Sequence, residues 1–264
     1  MIRFGLLTLL LPVCALAQLA PPNPSGVSMA HFHIMTKDPE AQKRFWTMLG
    51  ATAAKPVGPN EAYKVQGAFV LVRKQDATGG SEASVVHHIG FKVKNLAAAL
   101  DGCKAQGIRI ITAADAIAKN HKANVMGPDE INVELVEDTS MTAPIASHHI
   151  HWYNSPIEDT RAWYVKTFGA VAGKRDQFEA ADLPGINLSF SASKAKPEPT
   201  KGRALDHIGF EVRNLEAFCK KLEAAGVKFD RPFTRVESLG LSLAFLTDPW
   251  GTYIELTEGL SRWQ

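Results

Sequence analysis

The chain of 264 residues contains an internal duplication, and this repeat limits the folds that it can adopt. The segment HHIGFKVKNLAAALDGCKAQGI at 87–108 corresponds to DHIGFEVRNLEAFCKKLEAAGV at 206–227, and GPDEINVELVE at 127–137 corresponds to DPWGTYIELTE at 248–258. His88 and His207 lie 119 positions apart in the sequence. A repeat on this scale indicates that one structural unit is built twice.

Each half of the chain divides again into two modules. Every module opens on a short strand that begins with histidine, continues through an amphipathic helix that ends near glycine, and closes with three strand-like runs. In the second module Leu96, Ala99, Leu100 and Cys103 have helical spacing, and Gly107 is a natural C-terminal stop. Segments rich in proline, glycine, serine and charge separate the modules, which we expect at 29–74, 85–138, 147–193 and 204–258.

These motifs resemble the vicinal oxygen chelate superfamily, which includes glyoxalase I, bleomycin-resistance proteins and extradiol dioxygenases. The resemblance covers residues 29–258 and depends on the openings HHIGFKV and DHIGFEV and on the closing DPWGTYIELTE. It implies an α+β fold of four βαβββ modules that form two domains with curved mixed sheets around a cavity. The expected domains are 29–138 and 147–258, although modules one and four could instead pair, as could two and three.

Strand alternation sorts the side chains between the core and the cavity. In HIGFKV the apolar Ile89, Phe91 and Val93 share one face, which should pack on the helix, so His88 faces the cavity. In SHHIHWY we place His148 before the strand. The same count gives the other cavity-facing residues: His31, His33, Glu134, His149, His151, His207, Tyr253 and Glu255.

Two histidines and one glutamate on one sheet face are suitable ligands for Fe²⁺, Mn²⁺ or Zn²⁺. The family pattern implies two metal sets: His31, His88 and Glu134 in the first half, and His149, His207 and Glu255 in the second. Glyoxalase I takes a further carboxylate from the last strand of its first module, but here those strands read AFVLVRK and INLSFSA. A site with three protein ligands, as in the dioxygenases, is therefore expected.

Three further cavity residues are candidates for catalysis. His33 and His151 can act as acid–base groups or simply line the cavity, and Tyr253 can donate a hydrogen bond to a substrate oxygen. A single histidine at the start of a strand is commonly only a tolerated polar residue. Matched histidines in four modules, with a matched glutamate in each half, favour a metal site instead.

The N-terminus predicts export. One arginine, an apolar run over 4–17 and the sequence Ala15-Leu16-Ala17 are typical of a signal peptide at 1–17, so we expect a periplasmic or secreted protein with a flexible segment at 18–28. No stable membrane insertion is expected after cleavage. Cys103 and Cys219 occupy corresponding helices and are predicted to be unpaired.

The sequence thus predicts a metal-dependent enzyme that acts on a small substrate held through neighbouring oxygens. The alternative is a protein of the same fold that binds or sequesters a small molecule without chemistry. The net charge of +2 does not suggest a nucleic-acid partner. The protein is expected to be a monomer or a homodimer.

Overall fold

The computed structural model describes residues 19–263. Each predicted module contains the expected strand, helix and three strands in that order, with one additional helix in the second module. The predicted signal peptide lies outside the described residues. In the described part of the chain, no helix is long and apolar enough to cross a membrane. The α+β prediction is confirmed.

The first and fourth modules have the same order of elements. The first contains β1 (Val27–Thr36), α1 (Pro39–Met48), β2 (Thr52–Val57), β3 (Asn60–Val65) and β4 (Ala68–Lys74). The fourth contains β13 (Leu205–Val212), α5 (Leu215–Ala224), β14 (Phe229–Val236), β15 (Leu241–Thr247) and β16 (Tyr253–Glu258).

The second and third modules differ by one additional helix. The second contains β5 (Val86–Val93), α2 (Leu96–Ala105), β6 (Arg109–Ile110), the additional α3 (Ala114–Asn120), β7 (Lys122–Gly127) and β8 (Ile131–Glu137). The third contains β9 (Ile145–Tyr153), α4 (Ile157–Phe168), β10 (Val171–Arg175), β11 (Phe178–Leu183) and β12 (Ile186–Ser191).

Local sequence signals explain the helix limits. The side chain of Asn95 accepts a hydrogen bond from the backbone N–H of Ala98, which caps the start of α2. Gly107 follows the helix with a φ of 71°, a left-handed conformation that glycine adopts without a Cβ penalty. The four predicted apolar positions of this helix are all buried.

The sheets join modules from opposite halves of the chain. One eight-stranded sheet has the order β14-β15-β16-β13-β1-β4-β3-β2, and the other has the order β10-β11-β12-β9-β5-β8-β7-β6. Modules one and four therefore share the first sheet, and modules two and three share the second. The halves 29–138 and 147–258 are sequence repeats that each contribute strands to both sheets.

The common apolar core connects the two sheets. Phe32 of β1 contacts Phe91 of β5 with ring centroids 5.4 Å apart, and Trp46 of α1 contacts the same ring at 5.1 Å. All three side chains are fully buried. Burial of each such apolar side chain contributes about 1.5–3 kcal/mol to the free energy of unfolding. The apolar faces of the strands therefore hold the sheets in place, and the polar residues lie on the opposite faces of the same strands.

Cys103 and Cys219 are buried and unpaired, as predicted. The segment that precedes β1 is anchored at two points: Leu19 is buried, and the side-chain amide of Asn23 donates to the backbone oxygens of Phe168 and Gly169. The flexibility expected for 18–28 stays a prediction.

Candidate functional site

A β-bulge precedes each of the four histidines at the centres of the sheets. Where β1 pairs with β13, the register shifts leave Ala30 and Asp206 without opposite residues, directly before His31 and His207. In the second sheet, the shifts leave out His87 and His148 in the same way. A bulge re-aims the side chains beside it. The prediction that His148 precedes its strand is therefore wrong, because β9 begins at Ile145 and His148 lies in the bulge.

Three side chains converge on one point of the first sheet, and we call them the His31 cluster: His31, His207 and Glu255. The Nε2 atoms of both histidines lie 3.0 Å from the same carboxylate oxygen, Oε2 of Glu255. The antiparallel pairing of β1 with β13 and the parallel pairing of β13 with β16 bring the three together. All three are buried.

Asp206 adds a second carboxylate to this cluster. Its Oδ2 accepts a hydrogen bond from Nδ1 of His207 over 2.6 Å. Burial alone would lower the pKa of His207, but the hydrogen bonds to Asp206 and Glu255 outweigh it and raise the pKa to about 9. Burial also opposes ionisation of Glu255, yet His207 and His31 hold the pKa of this carboxyl well below its usual range.

The His31 cluster lies in a cavity of about 390 Å³. His33 lines this cavity and stacks on His207, with ring centroids 4.2 Å apart. Burial, followed by the charge of His207, lowers the pKa of His33, which keeps its imidazole neutral. Tyr253 also lines the cavity, and its ring stacks on Phe245 at 5.1 Å. Burial raises the pKa of Tyr253 to about 12, so its hydroxyl remains protonated.

The second sheet contains the matching His88 cluster, which consists of His88, His149 and Glu134. Oε2 of Glu134 lies 3.1 Å from Nε2 of His88 and 3.3 Å from Nε2 of His149. Burial lowers the pKa of His149 to about 3 and that of His151 to about 2, so both imidazoles are neutral. Burial opposes the ionisation of Glu134, but His149 and His88 hold its pKa below the usual range.

The structure regroups the predicted ligands. The six residues gather in two groups of three, one in each sheet, but the assignment of one set to each sequence half is wrong. His31 belongs with His207 and Glu255, and His149 belongs with His88 and Glu134, because the first strand of each module pairs with a strand from the other half. The local apolar pattern predicts which face of each strand is buried, but it does not predict which strand lies beside it in the sheet.

Two charged residues near the clusters escaped the sequence analysis. Asp206 was not singled out, although it stands directly before His207 in DHIGF, where the other repeat has His87 in HHIGF. Lys122 places its Nζ 3.6 Å from Oε1 of Glu134. The sequence distinguishes Lys122 only by a mismatch between the repeats, because Leu243 occupies the equivalent strand position in the second half.

The donor chemistry of the His31 cluster fits a divalent transition-metal ion. One ligand atom from each of His31, His33, His207 and Glu255 lies within 4.8 Å of every other, and all four residues are buried. Imidazole nitrogen and carboxylate oxygen are common ligands of Fe²⁺, Mn²⁺ and Zn²⁺.

The sequence model of the Glyoxalase/Bleomycin resistance protein/Dioxygenase superfamily matches residues 28–135 and again residues 146–256. The chain belongs to this superfamily. The two matches confirm the tandem duplication and cover the strands that carry both clusters. No curated protein sequence matches the chain significantly.

Solved structures of the superfamily show the same fold over nearly the whole chain. Glyoxalase I from Zea mays is 15% identical, with a TM-score of 0.69, and the match covers 89% of this chain and 94% of the maize chain. A dioxygenase-like protein from Bacillus subtilis is 12% identical, with a TM-score of 0.64 and coverages of 92% and 86%. At these identities the likeness concerns the fold.

Proposed function

We propose that the chain is an exported, metal-dependent enzyme of the superfamily, which acts on a small substrate held through two neighbouring oxygen atoms. The observation that carries the proposal is the convergence of His31, His207 and Glu255 on one point inside a cavity. Two imidazoles and one carboxylate are buried there together, and a cation held by them would offset the charge of the carboxylate.

His31, His207 and Glu255 would hold the metal ion. Such an ion supplies a positive charge that polarises a substrate oxygen and stabilises negative charge developing on it. The hydrogen bond from Nδ1 of His207 to Asp206 fixes the ring so that Nε2 faces the cluster. The sequence supports three protein ligands here, because the residue of β4 opposite His33 is Leu71 rather than an acid.

His33 and Tyr253 would act on the substrate. The neutral imidazole of His33 can accept a proton from a bound substrate, and the protonated hydroxyl of Tyr253 can donate a hydrogen bond to a substrate oxygen. Leu71, Leu241 and Phe245 supply apolar walls that limit access of water. His33→Phe preserves a ring that can stack on His207 and should therefore keep the metal content, whereas loss of metal would make His33 a ligand.

His151 occupies the position in the second sheet that His33 occupies in the first. It is buried against the His88 cluster, with ring centroids of His88 and His151 4.7 Å apart. Its Nε2 lies 2.8 Å from the hydroxyl of Ser191. This bond occupies the nitrogen that a substrate would need, so His33 is the stronger candidate for proton transfer.

Chelation tests metal dependence directly. Ligands that converge only in the folded chain make metal binding add to the free energy of unfolding, by about 2.7 kcal/mol when free metal exceeds the Kd a hundredfold. The melting temperature should fall with a chelator and recover with Mn²⁺, Fe²⁺ or Zn²⁺. No metal by elemental analysis and no shift in melting temperature would instead favour a protein that binds a small molecule without chemistry.

A further inference from the structure

The His31 and His88 clusters have matched frameworks but different charged neighbours. Lys122 of β7 pairs with Val136 of β8, which lies two residues beyond Glu134 in the sequence. The ammonium group of Lys122 lies 3.6 Å from Oε1 of Glu134. In the other sheet, Leu243 pairs with Thr257, two residues beyond Glu255. Lysine thus stands at the His88 cluster where leucine stands at the His31 cluster.

The bulge residues before His207 and His88 also differ in charge, and here the His31 cluster has the acidic residue. Asp206 places a carboxylate oxygen 2.6 Å from Nδ1 of His207 in the His31 cluster. The matching residue of the His88 cluster is His87, whose Nδ1 lies 2.9 Å from Nδ1 of His88. The first cluster therefore holds two buried carboxylates, and the second holds one carboxylate beside a lysine.

These neighbours set the charge that each cluster can accept. A divalent ion with neutral histidines balances the two negative charges of Glu255 and Asp206, which both contact His207 directly. Arg73 and Arg231 also line this cavity, but among the described residues neither forms a hydrogen bond or an ion pair with these two carboxylates. At the His88 cluster, Lys122 already offsets Glu134, and Arg175 and Lys122 both lie near Asp176. A divalent ion there would add two uncompensated positive charges beside a lysine, which a largely buried site disfavours.

We infer that the chain binds one divalent metal ion, at His31, His207 and Glu255, and that Lys122 keeps the His88 cluster free of metal by pairing with Glu134. This inference rests on the proposed function. It identifies residues 122 and 243 as the positions that decide which of the two duplicated sites takes metal.

Reciprocal exchange of the two residues tests the inference. Mn²⁺ and Zn²⁺ binding is measured by titration calorimetry and elemental analysis on the full mature chain. The unaltered protein should bind one ion, Lys122→Leu should bind two, and Leu243→Lys should bind its ion at least 100-fold more weakly. Lys122→Arg keeps the positive charge and should still bind one.

Matched variants control for folding and for general charge effects. Lys174 lies in the same sheet as Lys122 but pairs with Glu179, so Lys174→Leu should leave one bound ion. Leu243→Met controls for repacking at a half-buried position, and circular dichroism with chelator present reports on the fold of every variant. If Leu243→Lys does not fold, Lys122→Leu alone decides the result.

The outcomes separate this inference from the proposed function. Two ions in the unaltered protein, or one ion both in the unaltered protein and in a folded Lys122→Leu variant, would overturn the role of Lys122. No ion in the unaltered protein and none in Lys122→Leu would instead defeat the proposed metal-dependent function. One ion that persists in Glu255→Gln and disappears in Glu134→Gln would reverse the assignment of the two clusters.

Discussion

The imidazole of His31 lies directly against the backbone of Gly209. A methyl group on that glycine would stand 2.0 Å from Cε1 of His31. Gly90 and His149 have the same relationship in the second sheet, also at 2.0 Å. Both glycines oppose their histidines across the central strand pair, so the absence of a side chain is what allows each ring to lie over the neighbouring strand.

Gly209→Ala should therefore displace His31 and weaken metal binding at least tenfold. The overpacking should also destabilise the protein by about 1–3 kcal/mol. Calorimetric titration with Zn²⁺ and thermal melting in chelator measure the two effects separately. Gly90→Ala is the matched control, because it should cost similar stability without changing metal affinity. Equal metal affinity in the two variants would contradict the placement of the metal at the His31 cluster.

The two glutamates should differ in their contribution to metal binding. Glu255→Gln keeps the size of the side chain but removes the charge that offsets the ion, so bound metal should fall to near zero. Glu134→Gln should retain the metal and lose stability by about 1–3 kcal/mol, since Lys122 and the histidines lose a buried carboxylate partner. Metal content is measured by elemental analysis. Full metal occupancy in a variant that combines Glu134→Gln with Glu255→Gln would refute the ligand assignment.

Metal affinity should increase with pH up to about 9. Although burial lowers the pKa of His207, Asp206 and Glu255 raise it from 6.5 to about 9 in the metal-free protein. Because the folded value is the higher one, protonation stabilises the fold fully below pH 6.5, and this contribution disappears as the pH rises through about 9. An ion at Nε2 must displace that proton, so affinity should rise about tenfold per pH unit below 9.

Asp206→Asn tests the source of this pH dependence. Loss of the carboxylate should lower the pKa of His207, flatten the dependence of metal affinity on pH, and weaken metal binding about 10–100-fold at the plateau. Titrations at pH 6.5, 7.5 and 8.5, with NMR of the His207 ring in the metal-free protein, give both quantities. An unchanged pH profile in the variant would show that Asp206 has only a structural role.

The mature protein should begin at Gln18 and lie outside the cytoplasm. The single arginine, the apolar run over 4–17 and the Ala15-Leu16-Ala17 sequence motivate this prediction. N-terminal sequencing of protein from separated cell fractions measures both the cleavage site and the compartment. Ala17→Leu should block cleavage, because signal processing requires a small residue at that position. A cytosolic chain that retains residues 4–17 would contradict export.

The repeat and the strand alternation could be read from the sequence by themselves. The apolar Ile89, Phe91 and Val93 predict a core face, and the structure buries all three. The same alternation places His88 and Glu134 together on the opposite face. These predictions succeed because the direction of a side chain in a strand depends on local backbone geometry. The four-module fold follows from the same local patterns.

Only the tertiary structure decided which residues share a cluster. His31 meets His207 because β1 pairs with β13, a choice that the apolar pattern does not encode, since either pairing of the modules would bury the same faces. The bulges before the histidines and the approach of Lys122 to Glu134 likewise depend on neighbouring strands. The sequence determined the candidate ligands, whereas contacts between distant strands determined their grouping and charge, because electrostatic interactions depend on distances in space.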